Sequence, residues 1–349
     1  MRRVTAVVAL LGGLSVVGAC SGGTARPISI RPASARPPAG LQAQPTATGP
    51  TTGAQNAYIR ERAQAARTAW VSVPVATLWN QPGFARSLDQ PVEQSQPAVS
   101  HWLSSMNLAQ KLELDNIMAT QALMDEQVTV IETSGRWADV LVQDQTGSVY
   151  PDGVEGWLPL SQLTFTAPPA TTEFVTVSQP LASAGGVELS YGTRLPVVSR
   201  TPDGYTVTTP AGQRTLSSSD VRPAPPAISS QAVLHEAEKF LGLPYLWAGT
   251  SAYGFDCSGL TYAVYKQFGI QLARDAGDQA RQGRAVAKDQ LRPGDLMFFA
   301  WGGVVDHVGF YAGNGMMLHA PETGSKVQLI PIWSSSLARN FAGARRYFG

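Results

Sequence analysis

The chain has 349 residues, 44% hydrophobic and 15% charged, with a net charge of +1. That length predicts about two or three domains in place of one small core, and the composition is that of a folded chain. With almost no net charge and no basic cluster, nucleic acid is excluded as an expected partner, because phosphate binding draws on a basic face.

The chain opens with Arg2 and Arg3, then an apolar stretch over residues 4–17 that is interrupted by Gly12 and Gly13. This stretch is too short for a good membrane-spanning helix and reads as an export signal. It ends in Gly18-Ala19-Cys20, small residues before a cysteine, which resembles a bacterial lipoprotein signal. Residues 1–19 are therefore expected to be removed, with lipid attached at Cys20 and the protein exported and anchored to a bacterial membrane. The alternative is a plain signal peptide with an incidental cysteine. Cys20 and Cys257 are the two cysteines. They either pair or, with Cys20 lipidated, leave Cys257 as a free and candidate reactive thiol. Residues 20–54 are rich in Pro, Thr, Gly, Ala and Ser and read as a flexible tether.

Residues 55–166 form the next expected domain. Residues 71–79 read as a strand bent at Pro74, and residues 102–123 as partly helical. The segments 128–131, 137–142 and 156–159 alternate as short strands between turns at Gly135 and at Asp152-Gly153. Residues 128–163 resemble a bacterial SH3-like barrel, closed by the Gly156-Trp157-Leu158-Pro159 segment. Residues 167–226 repeat the pattern in shorter form, with strands at 174–177, 193–198 and 205–208 and turn signals at Asp203-Gly204 and Ala211-Gly212. The segment Pro223-Ala224-Pro225-Pro226 is a linker.

Residues 227–349 carry the chemistry. An amphipathic helix is expected over 231–241. Leu260, Val264 and Phe268 recur at helical spacing, so Cys257 lies in the first turn of a helix that Asp256 caps. A thiol there is expected to have a lowered pKa, because the helix N-terminus favours a thiolate. The alternative is a buried structural cysteine. Of the four histidines, His307 and His319 flank one hairpin signal, while His101 and His235 read as packed or surface residues. A two-residue loop at Asn314-Gly315 would turn the two rings to opposite faces. A loop centred on Gly313 makes them direct cross-strand neighbours, with Cβ atoms about 5 Å apart, and this register is the one expected. His307 then takes the thiol proton and His319 fixes its tautomer. One thiol and two histidines also suit zinc, but neither Cys-x-x-Cys nor His-Glu-x-x-His occurs.

Five stretches in order resemble the NlpC-type cell-wall endopeptidases, a papain-like family. They are Gly242-Leu243-Pro244-Tyr245-Leu246-Trp247, Gly254-Phe255-Asp256-Cys257-Ser258-Gly259-Leu260, Leu291-Arg292-Pro293-Gly294-Asp295-Leu296, Asp306-His307-Val308-Gly309-Phe310-Tyr311 and Leu318-His319-Ala320. The resemblance implies an α+β papain-like C-terminal peptidase domain preceded by two small all-β SH3-like barrels, with Cys257, His307 and His319 catalytic. It implies no metal and no organic cofactor. The implied substrates are peptidoglycan stem peptides, cut at the γ-D-glutamyl–diamino acid bond.

By the same resemblance, Tyr245, Asp256, Ser258, Arg274 and Asp275 fall at substrate-binding positions, with Asp256 meeting the free amine of an N-terminal L-Ala. Their plainer readings are core packing for Tyr245, a helix cap for Asp256 and a surface ion pair for Arg274 with Asp275. The layout is similar to the γ-D-glutamyl-L-diamino acid endopeptidases, in which the first barrel narrows the cleft. Here Gly153-Val154-Glu155-Gly156-Trp157 stands where that subgroup often has Gly-Tyr-Pro-Gly-Trp, and Ala273 stands where proline is common. The rival readings are a catalytically inactive cell-wall-binding lipoprotein and a related acyltransferase or amidase.

Overall fold

A computed structural model describes residues 66–349. Cys20, the export signal and the tether lie outside the described residues.

Residues 67–164 fold into one antiparallel sheet of seven strands. Their order is Met118–Leu123, Val75–Trp79, Val154–Pro159, Trp137–Val142, Gln127–Ser134, Arg67–Val71 and Leu163–Thr164. The segment expected as one bent strand at 71–79 is two strands with different neighbours. Arg67–Val71 pairs with Gln127–Ser134, and Val75–Trp79 pairs with Met118–Leu123. Pro74 lacks the N–H that would continue the ladder. Its carbonyl instead accepts from Met124 N–H at 3.1 Å, which starts the second strand in a new place.

The stretch 102–123 is helical in part, as expected, and ends in a strand. Helices Val99–Ser105 and Leu108–Leu112 lead to a single 3-10 turn at Glu113–Asn116, after which Met118–Leu123 is a strand. Asn107 caps the second helix by accepting from Gln110 N–H at 3.0 Å.

The next domain has a hairpin of Leu181–Ala184 and Val187–Ser190. It also has a five-stranded sheet in the order Gly212–Ser217, Gly204–Thr209, Arg194–Thr201, Phe174–Val177 and Val221–Arg222. Val175, Val177, Ala182, Ala184, Leu189, Leu195, Val207 and Leu216 alternate inward and form its core.

In the last domain, helices Ser230–Glu238 and Cys257–Lys266 pack on a six-stranded antiparallel sheet. The strand order is Arg284–Val286, Phe341–Arg346, Leu296–Trp301, Val304–Gly313, Met316–His319 and Gln328–Pro331. Leu260, Val264 and Tyr265 of the second helix bury against Phe298, Val308, Phe310 and Leu318 of the sheet. A second cluster contains Met297, Phe299, Met317 and Ile332. Apolar side chains thus leave both faces of the central strands covered, which fixes their register.

Polar side chains fasten the domains together. Glu236, 3% exposed, accepts from Tyr191 Oη at 2.9 Å and pairs with Arg222 at 2.6 Å and Lys239 at 2.8 Å. Gln121 of the first domain accepts from Ser251 Oγ at 2.8 Å through its amide oxygen and from Thr250 Oγ1 at 2.9 Å through its carbonyl. At the far end of the cysteine helix, Lys266 reaches Glu126 at 2.7 Å and Asp144 at 3.1 Å.

Candidate active site

Asp256 has extended backbone at φ −83 and ψ −179, and its carboxylate accepts from Gly259 N–H at 2.6 Å. It therefore caps the helix Cys257–Lys266 and sets Cys257 as the first helical residue. The backbone N–H of Val308, one residue from His307, favours the thiolate form of Cys257. Cys257 is free and 9% exposed.

The lowered thiol pKa expected from the helix terminus is not found. Burial pushes the thiol up to about 12, the carboxylates of Asp256 and Asp306 add to the rise, and the Val308 N–H and Arg274 pull it back only in part. Burial likewise holds His307 down at about 4. His319 falls to about 3 by burial and then by the neighbouring His307 ring. At neutral pH the resting groups are therefore a thiol and two neutral imidazoles.

The two rings meet, though not through the expected register. Asn314 and Gly315 form the two-residue loop, both with positive φ, 51° and 73°. Taken alone, that loop turns the rings to opposite faces. A bulge at Ala312 shifts the pairing by one residue, from Gly313↔Met316 to Tyr311↔Met317 and Phe310↔Leu318. Continuing that register puts His319 opposite Gly309, with His307 two residues along on the same face. His319 lies over the missing side chain of Gly309, where an added Cβ would be 2.8 Å from its own Cβ. This lets His307 Nε2 reach His319 Nδ1 at 2.8 Å. On the outer side, Gln328 is the direct cross-strand partner of His319, and its amide nitrogen Nε2 lies 3.4 Å from His319 Nε2.

The remaining expected site residues gather around Asp256. Arg274 is 3% exposed and extends its guanidinium to Asp256, not to the adjacent Asp275. Nη2 donates to Oδ2 at 2.6 Å and Nη1 to Oδ1 at 3.2 Å, while Nη1 also donates to Ser258 Oγ at 3.0 Å. The surface ion pair of Arg274 with Asp275 is thus replaced by a buried fork. Asp275 precedes the short helix Ala276–Gln279. Partial loss of water pushes its carboxyl up, Arg274 opposes this, and Asp256 and Asp278 reinforce it. Tyr245 is 7% exposed, and burial, then Cys257, Asp256 and Asp115, push its phenol well above the ordinary range. It stays a neutral hydrogen-bond donor. His101 and His235 are exposed and outside the site.

The first domain supplies residues that the sequence did not point to. Thr120 Oγ1 accepts from Arg274 Nε at 3.3 Å, and the Thr146 carbonyl accepts from Arg274 N–H at 2.8 Å. Asp115 accepts from Thr323 Oγ1 at 3.4 Å, and burial raises its carboxyl to about 6. Tyr150 is close enough to Asp275 and Arg274 for both to perturb its phenol. Asp278 accepts from Ser148 N–H at 2.7 Å, pinning the loop that carries these groups. Among the described residues no three His, Cys, Asp or Glu side chains converge as a metal site.

Residues 242–346 match the NlpC/P60 family, and residues 178–222 match the YKFC SH3b2 domain. The gamma-D-glutamyl-L-lysine dipeptidyl-peptidase of Bacillus cereus is 39% identical over 305 residues, which are 80% of this chain and 90% of that protein. The protein of the same name from Bacillus subtilis is 37% identical over 286 residues, 78% of this chain and 97% of that one. A crystal structure of an NlpC/P60 family protein from Bacillus cereus superposes with a TM-score of 0.76 at 37% identity, covering 81% of this chain and all of that one. With a cysteine-bearing helix, a paired-histidine sheet and an SH3b domain ahead of them, the chain belongs to the NlpC/P60 family of cysteine peptidases.

Proposed function

We propose that the protein is a stem-peptide hydrolase that cuts the γ-D-glutamyl–diamino acid bond of peptidoglycan fragments and prefers a free N-terminal L-Ala. The observation that carries this reading is the 2.8 Å contact of His307 Nε2 with His319 Nδ1, on a sheet packed against the helix that opens with Cys257. With His307 Nε2 donating to His319, His307 Nδ1 is free to accept the thiol proton as sulfur attacks the γ-glutamyl carbonyl. The C–N bond breaks, His307 protonates the departing amine, and a γ-glutamyl thioester remains on Cys257. Water, deprotonated by the same ring, then releases L-Ala-γ-D-Glu and restores the thiol. Tyr245, kept as a neutral phenol, donates to the developing oxyanion or to substrate.

The preference for small peptides with a free end rests on the first domain. Its loop at 146–150 is fastened to Asp278 and to Arg274, the residue that holds Asp256 and Ser258. Asp115 and Asp275, both with carboxyls raised by loss of water, favour an arriving ammonium, which would offset that lost hydration. A catalytically inactive wall-binding role is not favoured by relatives named as peptidases over most of the chain.

A cell-wall hydrolase of this kind works outside the cytoplasm, in keeping with the Gly18-Ala19-Cys20 signal and lipid on Cys20. Among the described residues no helix is long and apolar enough to cross a membrane.

The test is mass spectrometry of products from L-Ala-γ-D-Glu-diamino acid peptides with free and N-acetylated ends, using wild type and Cys257→Ser. The reading expects dipeptide release from the free-ended peptide and none from the variant. Equal cleavage of the acetylated peptide refutes the end preference, and undiminished cleavage by Cys257→Ser refutes the nucleophile. Mass analysis of the envelope-bound protein, with and without Cys20→Ala, tests the lipid.

A further inference from the structure

Arg274 can offer a carboxylate either of two edges. The planar guanidinium carries five N–H groups, and both its Nη1/Nη2 edge and its Nε/Nη2 edge can make paired hydrogen bonds. Here the Nη1/Nη2 edge faces Asp256, at 3.2 and 2.6 Å, and Nη1 also reaches Ser258 Oγ at 3.0 Å. Nε is turned away and donates to Thr120 Oγ1 of the first domain at 3.3 Å.

Thr120 accepts there because its own proton is taken elsewhere. Its hydroxyl donates to Gln145 Oε1 at 2.5 Å, and Gln145 Nε2 donates to the Gln121 carbonyl at 2.6 Å. A backbone carbonyl only accepts, so the end of the Gln145 amide that meets it is the nitrogen and the end that meets Thr120 is the oxygen. The hydroxyl is therefore the donor to Gln145, which leaves a lone pair toward Arg274 Nε. Thr120 and Gln145 are both buried. Gln145 is itself fixed, because its N–H donates to the Val142 carbonyl at 3.0 Å and its carbonyl accepts from Val154 N–H at 2.9 Å. The next residue, Thr146, accepts from the Arg274 backbone N–H. One turn of the first domain thus sets the backbone of Arg274 and, through Thr120, its side chain.

The choice of edge decides what Asp256 has left to offer. Oδ1 accepts from Gly259 N–H, Ser258 Oγ and Arg274 Nη1, whereas among the described residues Oδ2 accepts from Arg274 Nη2 alone. Oδ2 keeps a lone pair for an incoming donor. Turned to its other edge, the guanidinium would withdraw Nη1 from Ser258 and meet Oδ2 from a different direction.

We infer that Thr120 and Gln145 are positioning residues: by occupying Nε they commit the opposite edge of Arg274 to Asp256 and Ser258, leaving Asp256 Oδ2 open to the substrate's ammonium. This rests on the reading in which Asp256 meets a free N-terminal amine. Neither residue touches the reacting atoms; both act through Arg274.

The experiment compares Thr120→Val, Thr120→Ser, Gln145→Met and the Thr120→Val/Gln145→Met double variant with wild type. Its readouts are steady-state kinetics on the free-ended peptide and 15N NMR of the arginine Nε–H groups without substrate. Valine keeps the shape of threonine and removes the oxygen, so KM should rise about 10-fold with kcat little changed. Gln145→Met should raise KM about 3-fold, and Thr120→Ser, which keeps the hydroxyl, should stay within about 2-fold of wild type. Because Gln145 acts through Thr120, its loss should add nothing once Thr120 is valine. The Arg274 Nε–H should exchange slowly in wild type and Thr120→Ser and faster in Thr120→Val.

A folded Thr120→Val enzyme with wild-type KM overturns the inference, as does a Gln145→Met effect of equal size in both backgrounds. Should Thr120→Val fail to fold, wild-type KM and Nε–H exchange in Gln145→Met overturn it, and a raised KM with faster exchange supports it. Failure of the underlying reading is separate, because it appears as wild type cutting free and N-acetylated peptides alike, whatever the variants show.

Discussion

Replacing Gly309 with alanine tests whether the pairing of the two histidines drives the reaction. A Cβ at position 309 would lie 2.8 Å from the His319 Cβ, 3.0 Å from the Leu318 carbonyl oxygen and 3.0 Å from Met317 Cγ. Ordinary contact needs about 3.5–4.0 Å, so His319 must move by roughly 1 Å. Neither the His319 Cβ nor the backbone carbonyl is the loose end of a side chain that could swing aside. A shift of that size stretches the 2.8 Å ring contact past hydrogen-bond range.

Losing the orienting bond should lower kcat by about 10- to 100-fold with KM little changed, and overpacking should cost about 1–3 kcal/mol of stability. The assay is steady-state kinetics on the free-ended tripeptide, run on Gly309→Ala, His319→Ala and the double variant, with denaturant unfolding alongside. If Gly309→Ala acts through His319, it adds nothing to kcat once His319 is alanine. A full and equal loss in both backgrounds would refute the reasoning, as would a Gly309→Ala enzyme with wild-type kcat.

The depressed histidines set the acid limb of the pH profile. In the proposed mechanism neutral His307 is the working form, so kcat at saturating substrate should stay level down to about pH 5 and then fall with a midpoint near the His307 pKa of about 4. A midpoint near 6.5 would show that the ring is not buried as described. The same groups link stability to pH. The unfolded chain protonates both rings near 6.5, while the folded protein resists until about 4 and 3. Their contribution is therefore complete above 6.5 and is lost as pH falls through the folded values, which urea titrations at pH 7 and pH 4 should register.

Arg274→Ala leaves the buried Asp256 carboxylate without its fork and should cost about 3–5 kcal/mol in unfolding, whereas Arg274→Lys keeps the charge but not the two-pronged geometry and should fall between. An unchanged denaturation midpoint for Arg274→Ala would contradict this. Asp278→Ala frees the Ser148 N–H and should raise both its hydrogen-exchange rate and KM; wild-type exchange there would show that the loop is held by other contacts.

How much of this was legible in the sequence depends on the range over which each feature is determined. The cap and the first-turn cysteine follow from Asp256 and the apolar spacing of Leu260, Val264 and Phe268, all within a dozen residues. The Asn314-Gly315 turn is equally local. The bulge at Ala312 is not, because one extra residue in a strand leaves almost no mark on a period-two pattern, and it changed which residue faces His319. The thiol's titration was misjudged because the helix terminus is read from neighbours in the chain, whereas burial and the Asp306 carboxylate come from the sheet. Arg274 was paired with its sequence neighbour when its partner is 18 residues away, and Thr120, which also touches it, is 154 residues away. Met118–Leu123 carries no strong strand signature; it becomes a strand by pairing with Val75–Trp79.

The cysteine helix is gripped at both ends by the same neighbour. At its start, Asp256 is held by Arg274, which rests on Thr120; at its finish, Lys266 is held by Glu126 and Asp144. Cys257 is therefore mounted on a beam that the first domain steadies directly at one end and through Arg274 at the other. A fragment beginning at the linker would keep the cysteine and both histidines but leave a buried cation and its opposite terminal lysine without their supports. The seven-stranded sheet of residues 67–164 is thus part of what holds the cysteine helix, and changes in it should be felt as changes in where the sulfur points.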